Sequence, residues 1–296
     1  MTPSTPVNTP SRSSLAPRSD APGRVLLDWF SAPRRSMLVI AGPCVLESDE
    51  INRQIGEVVG EACGALGLPY VFKASYDKAN RSSIRSARGP GLAAGLDRLA
   101  AMRERLGVPV TTDIHEPVQA LPAARVVDML QIPAFLCRQT DLLVAAAATG
   151  RPVNAKKGQF MAPEEMRNVV QKLGEGGAKE VMLTERGTFF GYHRLVNDFI
   201  GIGDLMALGC PVCFDATHST QLPGGDKTAT AGRPDRGPLL ARAAVAAGVD
   251  ALFLECHPTP EKALSDASTM QPLGAVPGLL RTLVRIREAM AEQISG

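Results

Sequence analysis

The segment MLVIAGPCV (37–45) is an apolar, β-branched run that ends in Gly-Pro-Cys, and PYVFKASY (69–76) repeats the form with a lysine near its end. Six further runs follow: PVTTDIHE (109–116), VVDMLQIPAFL (126–136), PVNAKKGQF (152–160), EVMLTERG (180–187), PVCFDATH (211–218) and ALFLECHP (251–258). Segments of helical composition separate them at 50–66, 91–106, around 117–124, and at 138–149, 163–174, 195–208 and 237–248; a last one, 274–293, follows the eighth run. Strand and helix in strict alternation predict parallel βαβ units. Eight such units in roughly 250 residues predict an α/β fold, a single (β/α)8 TIM-type barrel. RVLLDWFSAPRRS (24–36) precedes the first unit and is expected to cover the N-terminal mouth of the barrel.

Outward from this core, residues 1–23 form a separate region with five prolines, many Ser and Thr, and no apolar periodicity. Such a segment buries too little to offset the entropy of ordering, so a disordered tail (1–23) is expected before a catalytic barrel domain (24–296). The tail has no apolar core of a secretory signal, and no apolar stretch reaches the roughly 18 residues of a membrane span. The 296-residue chain carries a formal net charge of +2, which predicts no nucleic-acid or membrane partner. Six cysteines in a chain this large read as reduced thiols, which predicts a cytoplasmic protein.

Each apolar run ends in chemically capable residues: Cys44, Lys73, Asp113 with His115, Gln131, Lys156, Glu185 with Arg186, Asp215 with His218, and Glu255 with His257. Buried parallel strands should be apolar throughout. Polar ends gathered on the C-terminal face are what a barrel active site needs. Cys44, His218, Glu255 and Asp266 fall after the first, seventh and eighth runs, and closure makes the first and eighth strands neighbours. A thiolate, an imidazole and two carboxylates suit a borderline divalent ion such as Zn, Fe or Mn. His257 is an alternative to His218 on this reasoning. Only eight of the 32 basic residues are Lys, and half of these are Lys73, Lys78, Lys156 and Lys157. With Arg81 and Arg186 they predict a pocket for anions, since cations crowded in an empty cavity would repel one another. The Gly- and Pro-rich stretch 222–238 is a candidate lid.

At these residues the chain resembles a known family. AGPCVLES (41–48), VFKASYDKANRSS (71–83), TDIHEP (112–117), QIPAFLCRQTDLL (131–143), NAKKGQF (154–160) and FDATHS (214–219) are similar to 3-deoxy-D-manno-octulosonate-8-phosphate synthase. That resemblance implies a transferase of lipopolysaccharide biosynthesis, usually a homotetramer, that condenses phosphoenolpyruvate with arabinose-5-phosphate. It implies that Lys73, Lys78, Lys156, Gln159, Arg186 and His218 meet phosphoenolpyruvate. Asn80, Arg81 and Ser82 would meet the sugar phosphate, with Asp113 near its hydroxyls. Lys156, His218 and Asp113 are the catalytic candidates. The family has a metal-dependent branch with Cys, His, Glu and Asp ligands, and a second branch with Asn for the Cys. Cys44 in AGPC and Asp266 in SDAST (265–269) place this chain with the first. The nearest alternative is 3-deoxy-D-arabino-heptulosonate-7-phosphate synthase, which takes erythrose-4-phosphate; KANRSS (78–83) favours the five-carbon sugar over it. A non-catalytic sugar-phosphate sensor would have no need of the four ligand positions.

Overall fold

The computed structural model describes residues 15, 20–32, 36–81, 84–190, 192–224 and 231–294. Eight parallel strands, β1 (Leu38–Gly42), β2 (Tyr70–Lys73), β3 (Val110–Asp113), β4 (Met129–Ile132), β5 (Val153–Lys156), β6 (Val181–Glu185), β7 (Val212–Asp215) and β8 (Ala251–His257), pair in sequence order. The sheet closes where β8 meets β1, in register from Leu38↔Ala251 to Gly42↔Glu255. A helix α1 (Ala21–Ser31) precedes β1. The strands are followed in turn by α2 (Asp49–Ala65), α3 (Leu92–Leu106), α4 (Pro117–Ala124), α5 (Thr140–Ala148), α6 (Met166–Glu175), α7 (Phe199–Met206), α8 (Gly237–Ala246) and α9 (Val276–Ile294). The barrel is therefore the predicted (β/α)8 fold. No helix among the described residues is long and apolar enough to cross a membrane.

The period of two along each strand divides the core into two clusters. Val39, Phe72, Leu130, Val153, Leu183, Phe214 and Leu254 face the helix layer. Leu38, Ile40, Val71, Met129, Met182, Cys213, Ala251 and Phe253 face the barrel axis. Continued along the same inward face, the alternation arrives at Lys73, Asp113, Gln131, Lys156, Asp215 and Glu255. The apolar lower layer and the polar upper layer are thus one stripe read in sequence order. Gly42 permits the close approach of β1 to the end of β2, because a Cβ there would stand 2.0 Å from the carbonyl oxygen of Lys73.

Helix α1 stoppers the lower end. Asp20 caps it by accepting from Gly23 N at 3.1 Å. Leu26 and Trp29 are buried against the axial cluster, and the Trp29 indole donates to Ser36 O at 3.2 Å. Arg103 of α3 bridges this cap to the barrel: it reaches Asp20 at 2.6 Å and Asp128, just before β4, at 2.8 Å. The helix begins at Ala21, slightly before the expected domain start. The expected tail otherwise falls largely outside the described residues, as do Ser82 and the central part of the expected lid.

Truncating Leu26 to Ala should lower the unfolding free energy by about 2–5 kcal/mol, since the plug has little to collapse onto. Urea titration reads this directly. An unchanged midpoint would mean that α1 does not carry the lower mouth.

Candidate active site

The C-terminal mouth opens into a cavity of about 960 Å³. Its lining includes Lys73, Lys78, Asn80, Arg81, Asp113, Gln131, Lys156, Gln159, Arg186, His218 and Asp266. Each comes from a strand end or from the loop beyond it, which is why residues far apart in sequence converge.

The cations are compensated from below. Lys73 Nζ lies 2.8 Å from Glu255 Oε1 and 3.7 Å from Asp113 Oδ2. Lys156 Nζ lies 2.6 Å from Asp215 Oδ2 and 3.6 Å from the centre of the Phe253 ring. The expectation that an empty pocket would hold mutually repelling cations is corrected here: Lys73 and Lys156, the two buried lysines that line the cavity, have carboxylate partners. Lys78 and Arg186 add two further cations to the cavity lining. Arg186 donates from Nη2 to Gln221, while its buried Nη1 has no hydrogen-bond partner among the described residues. Burial pulls the Arg186 guanidinium below its ordinary value, and Asp215, Asp266, Glu185 and Glu255 oppose that. The buried Gln159 Oε1 is also unpartnered. Arg81 uses three of its five N–H groups on Ala87 O, Ser265 Oγ and Leu264 O, at 2.7–2.9 Å, which joins the β2–α3 loop to the segment that carries Asp266.

Two residues of the basic and polar strand ends point elsewhere. Lys157 follows an inward residue and so faces outward, where its Nζ donates to Thr188 Oγ1 at 3.0 Å and Met161 O at 3.2 Å. Glu185 also turns outward, accepts from the backbone of Arg186 and Gly187, and lies 3.5 Å from Lys157. Neither lines the cavity.

At the ends of the first, seventh and eighth strands, Cys44, His218, Glu255 and Asp266 place one ligand atom each within 4.8 Å of the others. Cys44 Sγ donates to Asp266 Oδ2 at 2.9 Å. Burial pushes the Cys44 thiol well up, and Asp266 and Glu255 push it further, so the thiol keeps its proton until a cation takes its place. His218 turns Nδ1 to Asp215 Oδ2 at 2.7 Å, which leaves Nε2 facing Glu255 Oε2 at 3.5 Å. A carboxylate behind one ring nitrogen is the usual support for a metal-binding histidine. Glu255 Oε2 is buried and has no hydrogen-bond partner among the described residues. Asp266 holds a left-handed backbone (φ 50°), a conformation non-glycine residues adopt when something local over-determines it. An orphaned carboxylate oxygen, a proton-bearing thiol and an oriented imidazole together fit a divalent cation. His257, the alternative ligand, is turned away: its Nδ1 accepts from Thr259 N at 2.9 Å and its Nε2 lies 3.5 Å from Glu47. Cys256 packs in the outer core.

The sequence profile of the DAHP synthetase I family matches residues 32–292. The chain belongs to that family. It is 58% identical over 245 residues to the 2-dehydro-3-deoxyphosphooctonate aldolase of Nitratidesulfovibrio vulgaris (strain DP4), covering 83% of this chain and 90% of that protein. It is 54% identical over 258 residues to the 2-dehydro-3-deoxyphosphooctonate aldolase of Synechococcus sp., covering 87% and 91%. The Azoarcus sp. (strain BH72) protein of the same name is 52% identical over 257 residues, covering 86% and 92%.

Within this family member, Lys157, Glu185 and His257 turn away from the cavity, and the other predicted site residues that fall on described positions converge on it or on its floor. Sequence reasoning missed the part played by Asp215, which serves Lys156 and His218 at once. It also missed Ser75, whose hydroxyl donates to Asp113. The signal for Asp215 was its place in FDATH, three residues before His218; the signal for Ser75 was its parity in PYVFKASY (69–76), two residues beyond Lys73, where a parallel bridge to Val45 continues the strand.

Asp113 bears on acid stability. Burial pushes its carboxyl up, but Lys73, Lys78, His115 and Lys156 outweigh burial and hold it well below the usual carboxylate range. A depressed folded-state value means that the unfolded chain binds the proton first. The stabilisation is thus full above about pH 4 and lost as pH falls toward the folded value. Asp113→Asn should lower stability at pH 7 and flatten the fall in unfolding free energy between pH 5 and pH 3, read by urea titrations across that range. An unaltered slope would remove Asp113 as its source.

Proposed function

We propose that this chain condenses phosphoenolpyruvate with D-arabinose-5-phosphate and water to form 3-deoxy-D-manno-octulosonate-8-phosphate and inorganic phosphate. The observation that carries the reading is one cavity that holds Lys73, Lys78, Arg81, Lys156 and Arg186 beside a four-ligand cation cluster. The names of the similar proteins support it.

In the reaction, carbon 3 of the enol phosphate bonds to the aldehyde carbon. The aldehyde oxygen gains a proton, water adds to carbon 2, and phosphate departs from that carbon. The enzyme's task is mainly to hold two anions together and to meet charge where it develops. Lys78, Lys156 and Arg186 neutralise the phosphate and carboxylate of phosphoenolpyruvate, with Lys73 beneath them. Arg186 Nη1 has an unused donor for an anion, and Lys156 Nζ keeps donors beyond the one turned to Asp215. Asn80, Arg81 and Ser82 receive the phosphate of the sugar, and Asp113, kept ionised by its lysines, accepts from the sugar hydroxyls. Gln159 contributes an unpaired amide oxygen. Both nitrogens of His218 are committed, one to Asp215 and one to the cation cluster, which leaves Lys156 as the group positioned to move a proton. A divalent ion (Zn, Fe or Mn) held by Cys44, His218, Glu255 and Asp266 would supply a Lewis acid that polarises an oxygen.

The same reading places the enzyme in the cytoplasm, where reduced thiols keep Cys44 available as a ligand. It also includes the homotetramer that the resemblance implies. The exposed Phe135, Phe160, Phe190 and Tyr192, on loops after β4, β5 and β6, are apolar surface that such an assembly would cover.

Phosphate release from phosphoenolpyruvate should be strong with arabinose-5-phosphate, weak with erythrose-4-phosphate, abolished by exhaustive chelation and restored by a first-row divalent ion. Preference for erythrose-4-phosphate would move the chain to heptulosonate synthesis, and full activity after chelation would remove the metal from the proposal. Asp215→Asn, which loosens His218, should weaken metal binding about 10- to 100-fold, measured by chelator competition.

A further inference from the structure

Four consecutive strands turn a polar side chain toward the barrel axis at neighbouring heights: Asp113 on β3, Gln131 on β4, Asn154 on β5 and Thr184 on β6. All four are buried, Asn154 and Thr184 fully. They form one hydrogen-bonded belt. Thr184 Oγ1 donates to Asn154 Oδ1 at 2.6 Å, Asn154 Nδ2 donates to Gln131 Oε1 at 3.2 Å, and Gln131 Nε2 donates to Asp113 Oδ1. Asp113 and Gln131 line the cavity, whereas Asn154 and Thr184 stand behind that lining.

The direction of this belt follows from its end. An ionised carboxylate only accepts, so Gln131 must turn its amide nitrogen to Asp113. Its oxygen then faces β5 and requires a donor there. Of the buried amide and hydroxyl side chains, Asn154 meets that requirement, because it can give a proton to Gln131 and accept one from Thr184 in the same orientation. With the belt set this way, one Gln131 N–H is used on Asp113 and the second remains for the cavity. The wall therefore offers a carboxylate acceptor and an amide donor side by side, fitted to the hydroxyls of a polyol. If Gln131 were reversed, two acceptors would face each other at Asp113 with no proton between them, a costly arrangement in a buried site.

We infer that Asn154 is a positioning residue for sugar selectivity, which sets the polarity of the Asp113–Gln131 pair that reads the aldose hydroxyls without touching the substrate itself. This rests on the proposed aldose-phosphate reading. Thr184 assists by occupying the Asn154 oxygen, so that only the amide nitrogen is left to face β4. Anion binding is served by other residues and stands outside the belt.

The test compares wild type, Asn154→Leu and Thr184→Val, as metal-loaded full-length protein, on arabinose-5-phosphate and on its 2-deoxy and 3-deoxy analogues. The readout is phosphate release, taken as the ratio of kcat/KM for the full sugar to that for each analogue, with KM for phosphoenolpyruvate as the control. A site built to bond a hydroxyl rejects the analogue that lacks it. Wild type should therefore discriminate against at least one analogue. Asn154→Leu should lower that ratio about tenfold or more, by loss of activity on the full sugar, while KM for phosphoenolpyruvate stays unchanged. Thr184→Val should lower it by a smaller factor, and it decides the matter if Asn154→Leu does not fold. A wild type that treats the full sugar and both analogues alike overturns the inference, as do variants that keep the wild-type ratio or lose activity on every sugar in proportion. A wild type inactive on any aldose phosphate removes the underlying reading, and the inference falls with it.

Discussion

Lys73 and Lys156 carry ammonium groups into the interior of a closed barrel, and the architecture of the site depends on how those charges are met. An unpaired buried cation is very costly, so each must face a carboxylate. Glu255 and Asp215 meet this need from β8 and β7. The same two carboxylates sit on the cation cluster: Glu255 is one of its four members, and Asp215 orients another, His218. The proposed anion pocket and the four candidate metal ligands therefore share their counter-ions, and a change in one is felt by the other.

The lower half of the barrel makes this polar layer possible. Phe253 separates the two regimes: it belongs to the axial apolar cluster, yet Lys73 and Lys156 lie over its ring at 5.3 Å and 3.6 Å. Below it, α1 closes the mouth with Leu26 and Trp29, which keeps water from the floor of the site. Low local dielectric strengthens the ion pairs above and also makes every orphaned polar atom expensive. Among the described residues, Glu255 Oε2 and Arg186 Nη1 lack hydrogen-bond partners, and a cation and an anion respectively are expected to complete them.

Much of this was legible in the chain because strand geometry is periodic. Eight apolar runs with polar ends announce both the fold and the face that carries chemistry, and position parity shows why Lys73, Asp113, Gln131, Lys156 and Glu255 point inward. Position parity also separates Lys156 from Lys157, which chain proximity alone treats as a pair. Asp266 was legible only as one carboxylate in the loop after the eighth run, since a loop residue has no periodicity to fix where it points.

Sequence by itself determined the βαβ order, the residue types at each strand end and the family. These are local or countable properties, written in alternation and motif. Tertiary structure decided which charges compensate which, that His218 rather than His257 joins the cation cluster, and that Asn154 and Thr184 stand behind the cavity wall. Those outcomes depend on barrel closure and on the stagger between neighbouring strands, which bring together side chains from opposite ends of the chain and fix distances that no linear spacing encodes.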